Sequence, residues 1–182
     1  MFLINRSPNS SQQDAASEDR SGGSSAFAHN LKINTRRVSF HGVALEAQGR
    51  GFLITGPSGI GKTTAALEVM SPGYFWIADD LAMIGKDPTG FLIMTGHWKI
   101  RKYLHTNQTG IIEVIRLLSP TQIKSKTRLD AVIDVVRSDQ DHVSCEFHGK
   151  EILEMQLPCL RISLPRSGYF NQNLLQKAIL QF

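Results

Sequence analysis

Cysteine is scarce in this chain, two residues in 182, and Cys145 and Cys159 stand in no metal-binding or redox spacing. That argues against a disulfide scaffold and fits a reducing cytosol. Long apolar runs are missing too. None approaches the ~20 residues that a membrane helix needs, and Phe2-Leu3-Ile4 is too short for the apolar region of a signal peptide. Charge of one sign is not concentrated: the net charge is only +4. The basic residues gather locally as Lys99, Arg101, Lys102 and as Lys124, Lys126, Arg128. Without interleaved aromatics or a nucleic-acid module, both clusters read as solvated faces. Internal repeats are absent. A soluble cytoplasmic protein with no membrane or nucleic-acid partner is therefore expected. Large apolar side chains are also missing from residues 5 to 25, which are mainly Ser, Gln, Asn, Asp and Gly. Such a stretch cannot bury enough surface to offset its ordering entropy. Residues 1–30 are predicted to form a disordered polar tail, and residues 31–182 one folded domain beginning near Leu31.

What is present centres on Gly56-Pro57-Ser58-Gly59-Ile60-Gly61-Lys62-Thr63, which fits G-x-x-x-x-G-K-[ST]. The apolar run Gly51–Thr55 precedes it, and Thr64–Met70 follows with helical character until Pro72-Gly73. Strand, glycine-rich turn, helix is the context that a phosphate-binding loop requires. Gly56, Gly59 and Gly61 allow successive N–H groups to face one anion. The helix start adds unpaired N–H groups and the positive end of its dipole. Lys62 would reach terminal phosphates, and the Thr63 hydroxyl would ligate Mg²⁺. The chain is expected to bind a nucleoside triphosphate or a similar polyphosphate.

Upstream, Val38–Ala47 and Gly51–Thr55 read as two strands joined by the turn Gln48-Gly49-Arg50. Downstream, Tyr74–Ala78 is a continuous apolar run read as a buried strand, parallel to the loop-bearing one and joined to it by the helix. It ends in Asp79-Asp80, at the strand end where functional residues of open α/β sheets gather. One carboxylate can hold Mg²⁺ and the other can take the proton of an attacking hydroxyl. Further on, Phe91–Met94 reads as a strand, residues 96–110 as an irregular polar loop, and Ile111–Leu118 as a short helix ended by Ser119-Pro120. Strands are expected at Leu129–Val136, Cys145–Phe147 and Leu160–Leu164. A final helix is expected at Asn173–Gln181, with Leu174, Leu175, Ala178, Ile179 and Phe182 facing the core.

The order His41-Gly42, Gly56–Thr63, Ala78-Asp79-Asp80 resembles the catalytic domain of the bacterial HPr kinase/phosphorylases. Those carry a His-Gly strand, a loop of the form G-x-S-G-x-G-K-S and an Ala-Asp-Asp strand end. Gly110-Ile111-Ile112-Glu113-Val114 is similar to the family's Gly-Ile-Ile-Asn-Val, and Arg166-Ser167-Gly168 to its Arg-Pro-Gly. The resemblance covers roughly residues 38 to 180. It implies an α/β fold, the P-loop nucleotide-binding core of the HPr kinase and phosphoenolpyruvate carboxykinase type. That core has a mixed sheet and a crossover helix after the phosphate loop. It also implies an ATP- and Mg²⁺-dependent serine kinase acting on HPr or a similar phosphocarrier protein, in a family that assembles into hexamers. Carried over, Asp80 would be the proton acceptor, His41 and Lys62 its catalytic partners, and Thr63 a Mg²⁺ ligand.

The departures are specific. Lys99 stands where the family carries a metal-ligating Glu, and a cation cannot ligate Mg²⁺. Glu113, in place of the family's Asn, would supply a carboxylate ligand beside Asp79. The late loop Arg166–Asn171 lacks the family's second Arg, which favours kinase over phosphorylase activity. The family's N-terminal domain is expected to be absent, since the stretch before Leu31 is short and polar. Two other readings stand beside the first: a kinase of the same fold acting on a small-molecule or peptide hydroxyl, and a nucleotide-binding regulator without transfer.

Overall fold

The computed structural model describes residues 36–97, 99–106 and 110–182. The tail predicted over residues 1–30 and the domain start near Leu31 lie outside them. Among the described residues, no helix is long and apolar enough to cross a membrane.

The fold grows from β1 (Arg37–Ala47) and β2 (Arg50–Thr55), an antiparallel hairpin closed by the expected tight turn. Helix α1 (Lys62–Glu68) follows the glycine-rich loop, and the chain returns through β3 (Tyr74–Ala78) and β4 (Leu81–Lys86). Next come β5 (Leu92–Gly96), β6 (Tyr103–Thr106) and β7 (Gly110–Glu113). Two 3₁₀ turns, Val114–Arg116 and Pro120–Gln122, lead to β8 (Lys126–Arg128). The chain ends with β9 (Ala131–Ser138), β10 (Ser144–Ile152), β11 (Met155–Pro165) and α2 (Gln172–Ile179).

Nine strands form one mixed sheet in the order β10-β11-β9-β2-β1-β4-β5-β8, with β3 also paired to β1, while β6 and β7 pair separately. The direct parallel neighbour of β2 is β9, and β9 is parallel to β11. The sequence placed β3 parallel to β2, and in direction it is: both are antiparallel to β1. The two do not touch as neighbours, because the hairpin gives that edge of β2 to β1.

Side-chain alternation divides the interior in two. Phe52, Ile54, Ile133 and Val135 face α1 and α2, where they meet Ala65, Ala66, Leu175 and Ala178. Leu53, Val132 and Cys159 face the other way, toward Ala82, Ile84, Leu92 and Met94 of β4 and β5. The phosphate-loop strand is thus buried on both faces, which is why it reads as an unbroken apolar run. In α2, Leu175, Ala178 and Ile179 are buried as expected, with Leu174 and Phe182 packed at the edge of that core.

The helix expected over Ile111–Leu118 is not formed. Ile111 and Ile112 pair with His105 and Leu104 in the β6–β7 hairpin, and a single 3₁₀ turn follows. Val114 and Leu118 are both buried, a four-residue spacing that mimics helical periodicity, but the β-branched pair before them finds a strand partner. The hairpin also occupies part of the expected irregular loop and places Leu104 and Val114 in the core beside α1.

One buried polar network ties the edges together. Glu46 accepts Lys124 Nζ at 2.6 Å and the Thr127 hydroxyl at 2.7 Å. Burial raises the Glu46 carboxyl, but the two hydrogen bonds and the Lys124 charge together hold it below the ordinary glutamate value. A depressed carboxyl contributes stability above its unfolded pKa of about 4.3, and that contribution fades as pH falls through the folded value. Glu46→Gln is expected to cost about 1 kcal/mol at pH 7. Urea unfolding at pH 7 and pH 3 checks this: the wild-type advantage should shrink in acid, and a pH-independent difference contradicts it.

Candidate active site

The loop between β2 and α1 closes around its own lysine. Lys62 Nζ donates to the Gly56 carbonyl at 2.9 Å and to the Pro57 carbonyl at 2.8 Å, and the side chain is buried. Burial holds this ammonium below the usual lysine range, while the Asp79 and Asp80 carboxylates push it upward. A polyphosphate offers stronger, charge-assisted acceptors than two neutral carbonyls. Gly56 and Gly61 are required by close approach as well as by φ values of 146° and 108°. A Cβ at Gly56 would lie 2.4 Å from the Val135 carbonyl oxygen, and one at Gly61 would lie 2.2 Å from that of Phe170.

The acidic pair sits in a kink. Both β3 and β4 pair antiparallel with β1, Ala78 opposite Ala44 and Leu81 opposite His41. Chain segment 74–86 therefore runs along one edge of β1, with a register shift at Ile77 and a break at Asp79-Asp80. Asp80 takes a left-handed conformation, φ 62°, which aspartate tolerates better than most residues. Its carbonyl still accepts the Gly42 N–H at 3.2 Å. That bond and the strand register set the His41-Gly42 dipeptide beside the kink. Gly42 pairs with Thr55, the residue immediately before the glycine-rich loop.

Asp79 is buried, and its Oδ1 accepts the Thr63 hydroxyl at 2.9 Å. Asp80 and His41 are exposed. The carboxylate pair expected to serve metal and hydroxyl thus stands at the phosphate loop: Asp79 touches Thr63, and both act on the Lys62 charge. The Thr63 hydroxyl and the Asp79 carboxylate are hard oxygen donors, the kind that Mg²⁺ takes. They fit a Mg²⁺–polyphosphate site. Glu113 is on a different element, β7, where it pairs with Arg116 at 3.7 Å. Among the described residues, no three His, Cys, Asp or Glu side chains come together as a metal cluster.

Two loop neighbours escaped the sequence reading. Asp134 on β9 accepts the Thr55 hydroxyl at 2.7 Å. Phe170 donates its N–H to the Ile60 carbonyl at 2.9 Å, seating the late loop on the phosphate loop. Arg137 braces that late loop through the Pro165 carbonyl at 3.0 Å and through the Gly168 carbonyl. Asp134 had one sequence signal, a carboxylate interrupting a strand otherwise rich in Val and Ile.

Comparison with known proteins decides the family. The HPr Serine kinase C-terminal domain family matches residues 32–182. The chain belongs to that family. Among its curated relatives is the HPr kinase/phosphorylase of Pediococcus pentosaceus, 32% identical over 80% of this chain and 48% of the relative. That of Lactobacillus acidophilus is 30% identical over 70% of this chain and 41% of the relative. That of Lachnoclostridium phytofermentans is 37% identical over 58% and 34%. The chain therefore spans less than half the length of these relatives. The Hpr(Ser) kinase/phosphatase from Coxiella burnetii shares the fold, with a TM-score of 0.64 and 21% identity, covering 79% of this chain and 92% of that structure. The P-loop α/β core of the HPr kinase type expected from the sequence is the observed one.

Proposed function

We propose that this member of the HPr serine kinase family is an ATP- and Mg²⁺-dependent phosphotransferase that phosphorylates a serine of HPr or a similar carrier protein. The observation carrying this reading is the Thr63–Asp79 contact at 2.9 Å, with Asp80 at the next position and Lys62 between them and the loop carbonyls. Gly56–Thr63 would receive the polyphosphate, with Lys62 exchanging its carbonyl partners for phosphate oxygens. Thr63 and Asp79 would hold Mg²⁺, which when bound offsets the charge on the phosphates. Asp80, exposed at the rim, would take the serine proton as the new O–P bond forms and the bond to the leaving diphosphate breaks. A serine hydroxyl is a weak nucleophile, so a positioned carboxylate supplies what it lacks. His41 borders the same kink and would contact the phosphates.

Incubation of the purified chain with ATP, Mg²⁺ and HPr from the same cell, read by intact mass, is expected to add one phosphoryl group to HPr. ATP consumption without any HPr modification would redirect the proposal to another hydroxyl acceptor. Nucleotide binding without consumption would leave a regulator.

A further inference from the structure

Behind the phosphate loop, on the sheet face turned away from α1 and α2, a chain of contacts ends at the lysine grip. Arg161 Nε on β11 lies 3.6 Å from Asp134 Oδ2 on β9. Asp134 Oδ1 accepts the Thr55 hydroxyl at 2.7 Å. Thr55 is the last residue of β2, and the next residue, Gly56, offers its carbonyl to Lys62 Nζ at 2.9 Å. The three side chains come from adjacent strands in strict register, Thr55 opposite Asp134 and Asp134 opposite Arg161. Thr55 is buried and Asp134 half-buried, so the hydroxyl–carboxylate bond is largely shielded from water.

We infer that Asp134, held by Arg161, is a positioning residue that sets the start of the phosphate loop through the Thr55 hydroxyl and so tunes how tightly the loop grips a polyphosphate. The physical reason lies in where the constraint falls. A strand end is free to twist once its ladder stops, and the Gly56 peptide is the first group beyond the β2 ladder. Fixing the Thr55 side chain removes that freedom at the carbonyl on which the lysine rests. Val135 contributes from the same strand, since its carbonyl closes the space where a Gly56 Cβ would stand. Thus β9 pins the loop entrance at two consecutive residues, one by side chain and one by backbone. Burial and the Asp134 charge also raise the neighbouring Cys159 thiol to about 11.

This inference rests on the polyphosphate-binding part of the proposed function, not on the identity of the acceptor. Its test is therefore binding, measured calorimetrically with Mg²⁺-ATP and with inorganic pyrophosphate on the full chain. Thr55→Val and Asp134→Ala are each expected to weaken both ligands about tenfold. Thr55→Ser should restore wild-type affinity, and the double variant Thr55→Val/Asp134→Ala should be no weaker than either single one. Asp134→Asn keeps an acceptor for Thr55 and should fall between. Thermal unfolding of each variant accompanies the titrations, because a merely structural pair would lower the melting temperature and leave affinity in the folded protein untouched. Unchanged affinity in Thr55→Val, or additive losses in the double variant, would overturn the inference. A wild-type chain that binds neither ligand would overturn it together with the proposed function. A wild type that binds both but phosphorylates no HPr would remove only the acceptor assignment.

Discussion

Asp80→Asn is expected to lower phosphoryl transfer by about 10²- to 10⁴-fold while ATP binding persists. The substitution is chosen for its backbone as much as its charge. Asp80 sits at φ 62°, a region that asparagine enters as readily as aspartate. The variant should therefore keep the kink, the Gly42 N–H bond to the carbonyl of that residue at 3.2 Å, and the Thr63–Asp79 contact. Only the proposed proton acceptor is removed. Alanine at the same site would confound chemistry with strain, since a non-glycine residue without a polar side chain pays more to hold a left-handed conformation. Single-turnover transfer to HPr alongside ATP titration gives the answer. Transfer within a few-fold of wild type would show that Asp80 is not the base, and parallel loss of binding would mean that the substitution broke the loop instead.

Gly61→Ala should have a second large effect, by a different route. Its Cβ would stand 2.2 Å from the Phe170 carbonyl oxygen, at a φ of 108°. Phe170 cannot retreat easily: its ring is buried in the helix-side core, and its N–H is bound to the Ile60 carbonyl at 2.9 Å. Strain and overlap together should cost about 3 kcal/mol or more, a melting-temperature fall on the order of 10 °C, with ATP binding lost. Gly59→Ala separates the two causes. Gly59 also has a positive φ, 74°, but nothing lies within 4 Å of an added Cβ. It should lose only the strain, about 1 kcal/mol. Equal melting temperatures for the two variants would refute the seating of the late loop on the phosphate loop.

Local chemistry made part of this site readable in the chain. Gly56–Thr63 is a contiguous motif whose proposed function needs only backbone amides and one lysine, so order along the sequence and order in space coincide. Asp79-Asp80 was readable for a similar reason, as two acids ending an apolar strand after a crossover helix. Glu113 was chosen because a carboxylate stood where a ligand was wanted. In the fold it belongs to a hairpin whose pairing is fixed by Ile111 and Ile112, and its carboxylate lies 3.7 Å from Arg116. That pairing is also why the helix predicted over Ile111–Leu118 is not formed. Val114 and Leu118 carry helical spacing, but strand pairing with Tyr103–Thr106 decided the segment.

By itself the sequence determined that there is a glycine-rich loop of the phosphate-binding pattern between a strand and a helix, an acidic strand end after it, and a terminal helix with one apolar face. These depend on residues near each other along the chain and on periodicities of a few residues. Only the tertiary structure decided that β1 lies between β2 and β3, that β3 and β4 share one strand edge broken at Asp80, and that Asp134 and Phe170 close on the loop. Those contacts join positions as far apart as Thr55 and Asp134, or Ile60 and Phe170. No local propensity encodes them. They follow from which strand edges remain free once the first hairpin has formed, and from which apolar faces must then be covered.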